Sequence, residues 1–108
     1  MKTIIRGLRY NTEAPQTVLI GEQDSIGPGG ASSVSDFSYW KAGLYRTGGG
    51  RYFLAGRGGP MTRFATRSGN ALTGGSKIIP LTEDEARQWA EQFLDAETVE
   101  QYFAVQEA

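Results

Sequence analysis

Leu44-Tyr45-Arg46-Thr47, then Gly48-Gly49-Gly50, then Arg51-Tyr52-Phe53-Leu54-Ala55: two runs of aromatic and apolar residues flank three glycines, the signal of a β-hairpin with a three-residue turn. If Thr47 faces Arg51, Leu44 stands opposite Leu54, Tyr45 opposite Phe53 and Arg46 opposite Tyr52. Tyr45, Thr47, Arg51 and Phe53 then share one face. A one-residue slip would exchange the faces.

Outward from this hairpin, Thr3-Ile4-Ile5 and Thr17-Val18-Leu19-Ile20 read as two short strands, closed by Gly7 and Gly21 and joined by a turn-rich segment holding Asn11 and Pro15. Residues 25–35 are small, aperiodic and rich in Gly and Ser, and they read as a mobile surface loop. After the hairpin, Gly56-Arg57-Gly58-Gly59-Pro60-Met61-Thr62-Arg63-Phe64 has the composition of a structural corner. Its glycines could cradle a phosphate, but their spacing matches neither the dinucleotide fingerprint nor the P-loop. Ser68-Gly69-Asn70 and Thr73-Gly74-Gly75-Ser76 mark a loop before the strand Lys77-Ile78-Ile79-Pro80-Leu81, which Pro80 ends or confines to a sheet edge.

The C-terminal segment is helical. Thr82 and Glu85 form a capping box, Glu83 and Asp84 place anions at the positive helix end, and Ala86, Trp89, Ala90, Phe93 and Leu94 recur as one apolar stripe. A second helix starts after Asp95, with Ala96, Val99, Tyr102 and Phe103 inward. The expected fold is a single α+β domain over 1–108: a small antiparallel sheet of about four to five short strands, packed by the two C-terminal helices. The length, 108 residues, allows one core and hardly two.

The net charge of -1 hides two regions of opposite sign. Residues 1–81 carry ten Lys/Arg against four acids, +6; residues 82–108 carry eight acids against Arg87, -7. From Lys41 to Lys77 seven cations follow one another with no acid between them. Such asymmetry points to nucleic-acid or charged-protein partners, unless the basic sheet faces its own acidic helices. The candidate partner-binding residues are therefore Arg46, Arg51, Tyr52, Arg57, Arg63 and Arg67, with Tyr45, Tyr52, Phe53 or Phe64 as stacking surfaces. The acidic helix face, Glu83, Asp84, Glu91, Glu97 and Glu100, is the alternative, offering carboxylates in place of phosphates to a basic groove.

With no cysteine, disulfides, thiolate nucleophiles and Cys-containing zinc sites are excluded; with no histidine, the commonest general base and metal ligand are absent. Lys41, Lys77, Asp36 and Tyr39 remain as conceivable bases or nucleophiles, but no arrangement of them commits to a reaction. The reading is of a non-enzyme without cofactor or metal. No run of 18 apolar residues is present, and the first seven residues are too short for a secretory core, so the expected setting is the cytoplasm.

Several strings carry a resemblance: Met-Lys-Thr-Ile-Ile-Arg-Gly at 1–7, Ser-Asp-Phe-Ser-Tyr-Trp at 35–40, Leu-Tyr-Arg-Thr at 44–47, Arg-Tyr-Phe-Leu-Ala-Gly-Arg-Gly-Gly-Pro-Met-Thr-Arg at 51–63, and Lys-Ile-Ile-Pro-Leu-Thr at 77–82 followed by Glu85-Ala86 and Trp89-Ala90-Glu91. Over nearly the whole chain these look like a group of small, mostly uncharacterised bacterial proteins found on phages, plasmids and other mobile elements. The loop at 25–35 is longer than in that group. Among small acidic proteins of such elements, anti-CRISPR inhibitors are a prominent class. The resemblance implies a stoichiometric inhibitor of a bacterial defence effector such as a CRISPR-Cas complex, occupying a nucleic-acid channel or a protein interface. It supplies no catalytic residue. The alternative is an accessory protein that binds nucleic acid directly through Arg46, Arg51, Arg57, Arg63 and Arg67.

Overall fold

A computed structural model describes all residues, 1–108, as β1 (Lys2–Ile5), β2 (Leu8–Asn11), β3 (Val18–Asp24), β4 (Trp40–Arg46), β5 (Tyr52–Gly58), β6 (Thr66–Ser68), β7 (Ala71–Thr73), β8 (Gly75–Leu81), α1 (Glu83–Phe93) and α2 (Ala96–Tyr102). The fold is α+β: the main sheet has four antiparallel strands in the order β3-β4-β5-β8, and β1–β2 and β6–β7 form two separate ribbons.

The glycine turn sets the register of the centre. Thr47 N–H donates to the Arg51 carbonyl at 2.7 Å, Gly50 N–H donates to the Thr47 carbonyl at 3.0 Å, and Gly50 takes a φ of 85°. This is a three-residue hairpin loop closed by a left-handed glycine. Leu44 faces Leu54, Tyr45 faces Phe53 and Arg46 faces Tyr52, as the residues predict, and the pairing continues to Trp40 and Gly58. Gly56, Arg57 and Gly58 thus belong to β5, and the expected corner begins only at Gly59. There Thr62 Oγ1 donates to the Gly59 carbonyl at 2.8 Å and accepts from Phe64 N–H at 3.1 Å, which turns Phe64 into the core and leaves Arg63 outside. Pro80 lies on an edge strand, where its missing N–H costs no ladder bond.

Alternation splits the sheet into two faces. On one, Ala42 and Leu44 of β4, Tyr52 and Leu54 of β5 and Ile20 of β3 pack beneath Ala86, Trp89 and Ala90 of α1 and Val99 and Phe103 of α2. Both helices begin as the sequence indicates. Thr82 Oγ1 accepts from Glu85 N–H at 3.1 Å while Glu85 returns the bond to Thr82 N–H at 2.8 Å, and Asp95 caps α2 through Thr98 N–H at 2.8 Å. Ala96, expected inward, is exposed.

The sequence assigns no cover to the other face. The β1–β2 ribbon, whose second strand falls within the segment read as a turn-rich connection, lies over part of it. Tyr10 meets the Phe53 ring edge-on at 5.5 Å, and Tyr45 stacks on Phe53 at 5.1 Å. Burial from both sides is why Tyr52, Phe53, Leu54 and Ala55 are all buried, with no alternation. Arg6 and Gly7, at φ 53° and 77°, form the two-residue turn of this ribbon.

The Gly/Ser loop is tied to itself. Gly27 N–H and Ala31 N–H donate to Ala31 and Ser25 carbonyls, Ala31 is buried, and Trp40 N–H donates to Ser25 Oγ at 2.8 Å.

Candidate binding face

The charges survive folding. The only ion pairs within 4.0 Å are Arg87 with Asp84 at 3.0 Å and Arg87 with Glu91 at 3.8 Å, both inside α1. None of the ten Lys/Arg in residues 1–81 is held by a carboxylate at that distance. Of the acidic set, Asp84 and Glu91 share Arg87, while Glu83, Glu97 and Glu100 are exposed and unpaired.

The six basic and aromatic candidates do not gather on one surface. Tyr52, proposed as a contact residue, is instead core: it is buried and stacks on Phe103 at 5.5 Å. Phe53 and Phe64 are buried as completely, so of the four aromatics offered for stacking only Tyr45 retains access. Arg46 lies on the helix side, its guanidinium carbon 5.4 Å from the Tyr102 ring centre in a cation–π contact. Arg51 leaves the glycine turn beside Arg6, in a cleft that also holds Glu83 and Glu85. Arg63 borders an aromatic cleft of about 400 Å³ lined by Trp40, Trp89 and Phe93. Arg67 sits on the outlying β6–β7 ribbon, every strand residue of which is exposed.

What folding brings to Arg57 is Lys41. The two face each other across β4 and β5, on the side away from the helices. Asp24 of β3 stands on the far side of Lys41 and Ser76 of β8 on the far side of Arg57, so one row across the sheet reads Asp24, Lys41, Arg57, Ser76. Asp24 Oδ1 accepts from Ile26 N–H at 3.0 Å, which turns it toward the loop. The hairpin register, continued three residues beyond Leu44 and Leu54, identifies this pair, whereas the sequence alone puts Arg57 in a corner and offers Lys41 as a conceivable base or nucleophile and as the start of the cation run.

The β1–β2 ribbon leaves this end of the sheet open. A concavity of about 310 Å³ holds Lys41, Arg57 and Ser76 with Glu22, Gly43 and Tyr45. A second, of about 490 Å³, shares Arg57 and Ser76 and extends over Gly58, Gly59, Gly74 and Gly75 to Tyr39 and Val34. Tyr45 leans over Gly43, whose absent Cβ would fall 2.9 Å from the ring. Burial, and then the Glu22 anion, raise the Tyr45 phenol above its usual 10.0, so it stays a neutral hydrogen-bond donor.

The carboxylates with shifted affinities serve the backbone. Asp36 is lowered to about 2, first by Ser38 N–H and hydroxyl and then by Ser32, which donate at 2.7–3.4 Å. So firmly held an anion is a poor proton acceptor, and Asp36 orders the loop. Glu85 and Asp95 are lowered by their capping bonds to Thr82 and Thr98. No three carboxylates gather as a metal site would require, and no helix is long and apolar enough to cross a membrane.

The chain matches no family model, no curated protein and no solved structure.

Proposed function

We propose that this chain is a binding protein that acts stoichiometrically and without catalysis, and that its partner is a bacterial defence effector of the CRISPR-Cas kind, met in the cytoplasm. One observation supports the charge-borne part of this reading: ten cations on the sheet and loops lack carboxylate partners, while Glu83, Glu97 and Glu100 stand free on the helices. Surface charges left uncompensated do little for stability but much for encounter and orientation. Either pole then has a counterpart on an effector that holds nucleic acid in a basic channel: the acids can occupy the channel, or the cations can seize the nucleic acid. The identity of the effector rests on the resemblance to mobile-element proteins.

Titration of purified effector complexes with the chain tests the reading. Target binding should fall in proportion to added chain and reach its floor at about one chain per effector. Reversing one pole, by Glu83→Lys, Glu97→Lys and Glu100→Lys together or by Lys41→Glu with Arg57→Glu, should abolish the effect. Inhibition that neither set weakens, or a panel of effectors left untouched, refutes it.

Direct nucleic-acid binding is the second reading, and a specific observation favours it in a reduced form. Of Arg46, Arg51, Arg57, Arg63 and Arg67, only Arg57 has an unpaired cation facing it on an open sheet surface.

A further inference from the structure

We propose that Lys41, Arg57 and Ser76 form a phosphate-binding site for the backbone of single-stranded nucleic acid. The proposal narrows the second reading above and is independent of any effector. Two like charges at facing positions of an antiparallel pair repel, and a fold places them there at a cost. A phosphate oxygen set between the ammonium and the guanidinium removes that repulsion, with Arg57 able to bond two oxygens at once. The Ser76 hydroxyl stands on the other side of Arg57 as a neutral donor. Glu22 is the single carboxylate lining either concavity, and Asp24, the neighbour of Lys41 in the row, is turned toward the loop by the bond from Ile26 N–H.

The shape selects the source of the phosphate. Both concavities are lined by Arg57 and Ser76, so they adjoin there, one over Gly43 and Gly56 and the other over Gly58, Gly59, Gly74 and Gly75 with Tyr39 and Val34 of the loop region. Adjoining concavities suit a chain of phosphates better than one ion. Both parts, of about 310 and 490 Å³, are open to solvent, so the preference for a single strand rests on an aromatic ring within reach of an unpaired base. Tyr45, the one accessible ring of the four aromatics considered for stacking, lines the smaller part, where a base released from its partner strand can stack.

The test uses the purified chain and a fluorescent ten-residue oligothymidylate, read by anisotropy between 50 and 200 mM salt. Affinity for single strands falls with a slope of about -0.7 per neutralised phosphate. Two phosphate contacts therefore give a slope of about -1.4 and roughly a sevenfold loss over this fourfold change in salt. Arg57→Gln or Lys41→Gln should halve the slope, the double variant should remove binding, and Arg67→Gln should change neither. A duplex of the same length should bind more weakly. Absence of oligonucleotide binding at 50 mM salt, or an unchanged slope in the double variant, overturns the site. Protection by inorganic phosphate without oligonucleotide binding overturns its assignment to nucleic acid. A chain that binds the oligonucleotide but blocks no effector keeps this site and loses only the inhibitor reading; one that blocks an effector without binding the oligonucleotide does the reverse.

Discussion

Arg57→Gln should make the free protein more stable, and Lys41→Gln should leave it nearly unchanged. Facing residues of an antiparallel pair have Cβ atoms roughly 5 Å apart. Unit charges at 4 Å in water repel by ~1 kcal/mol, and long side chains that splay apart reduce this to about half. Arg57 has Lys41 on one side and neutral Ser76 on the other, so its charge contributes only repulsion within the row. Lys41 stands between Arg57 and Asp24, and removing its charge abolishes a repulsion and an attraction together. With a melting shift of roughly 4 °C per kcal/mol for a domain of this size, Arg57→Gln should raise the midpoint by about 2 °C at 10 mM salt. The gain should vanish at 1 M salt, where the screening length shrinks to about 3 Å. Thermal unfolding by circular dichroism at both salt concentrations measures it. A lower midpoint for Arg57→Gln at low salt, or a shift that ignores salt, would mean that the guanidinium is held by its surroundings and not strained by Lys41.

Gly56→Ala should destabilise by roughly 1–3 kcal/mol, because the new Cβ meets the Lys41 carbonyl and lies 2.8 Å from Ala42 Cβ, both on the paired strand β4, whose backbone cannot yield without breaking the register; a urea midpoint equal to that of the parent would refute the close strand packing. Thr82→Ala should cost about 1 kcal/mol through loss of the cap on α1, visible in the same titration as a lower midpoint with an unchanged slope. On acidification, Asp36 (about 2, against a usual 3.8), Glu85 and Asp95 all hold their protons less tightly in the folded chain. The unfolded chain therefore takes up protons first, and their stabilisation, complete above the usual carboxylate range, should drain away as the pH falls from about 4 toward 2. The melting midpoint should drop across that window, and less steeply in Asp36→Asn; a drop confined to pH above 5 would contradict the assignment.

Legibility in the sequence followed the strength of local signals. The glycine turn fixed a register that holds over seven pairs, and a capping box and an Asp cap gave both helix starts. The β1–β2 ribbon was missed because its turn is Arg6-Gly7, where Asn-Gly is the usual mark, and a lone arginine at positive φ leaves no compositional trace. The β6–β7 ribbon buries nothing, so its strands, Thr-Arg-Ser and Ala-Leu-Thr, carry no periodicity to read. Tyr52 was misassigned for a different reason. The register shows that it shares a face with Arg46, but not that α2 covers that face and Phe103 stacks there. Lys41 is missed for the converse reason: Tyr39-Trp40 leads toward the hairpin, but the sequence places Arg57 in a corner beyond Ala55, so no partner for Lys41 is visible across the strands.

The packing also explains why the two poles do not neutralise each other. The helices dock by Ala86, Trp89, Ala90, Val99 and Phe103, which turns the acids on their opposite faces away from the sheet. Lys41 and Arg57 project from the sheet's other side. A helix is about 10 Å thick, and the sheet adds to this, so the outer acids and this cation pair stand further apart than the ~8 Å screening length of physiological salt. For this pair the outer helix acids act as if they were absent, whereas Arg6 and Arg51 share a cleft with Glu83 and Glu85. Reversing the helix acids should leave the salt slope of oligonucleotide binding as it was, and a change in that slope would show that the poles communicate through something other than surface charge.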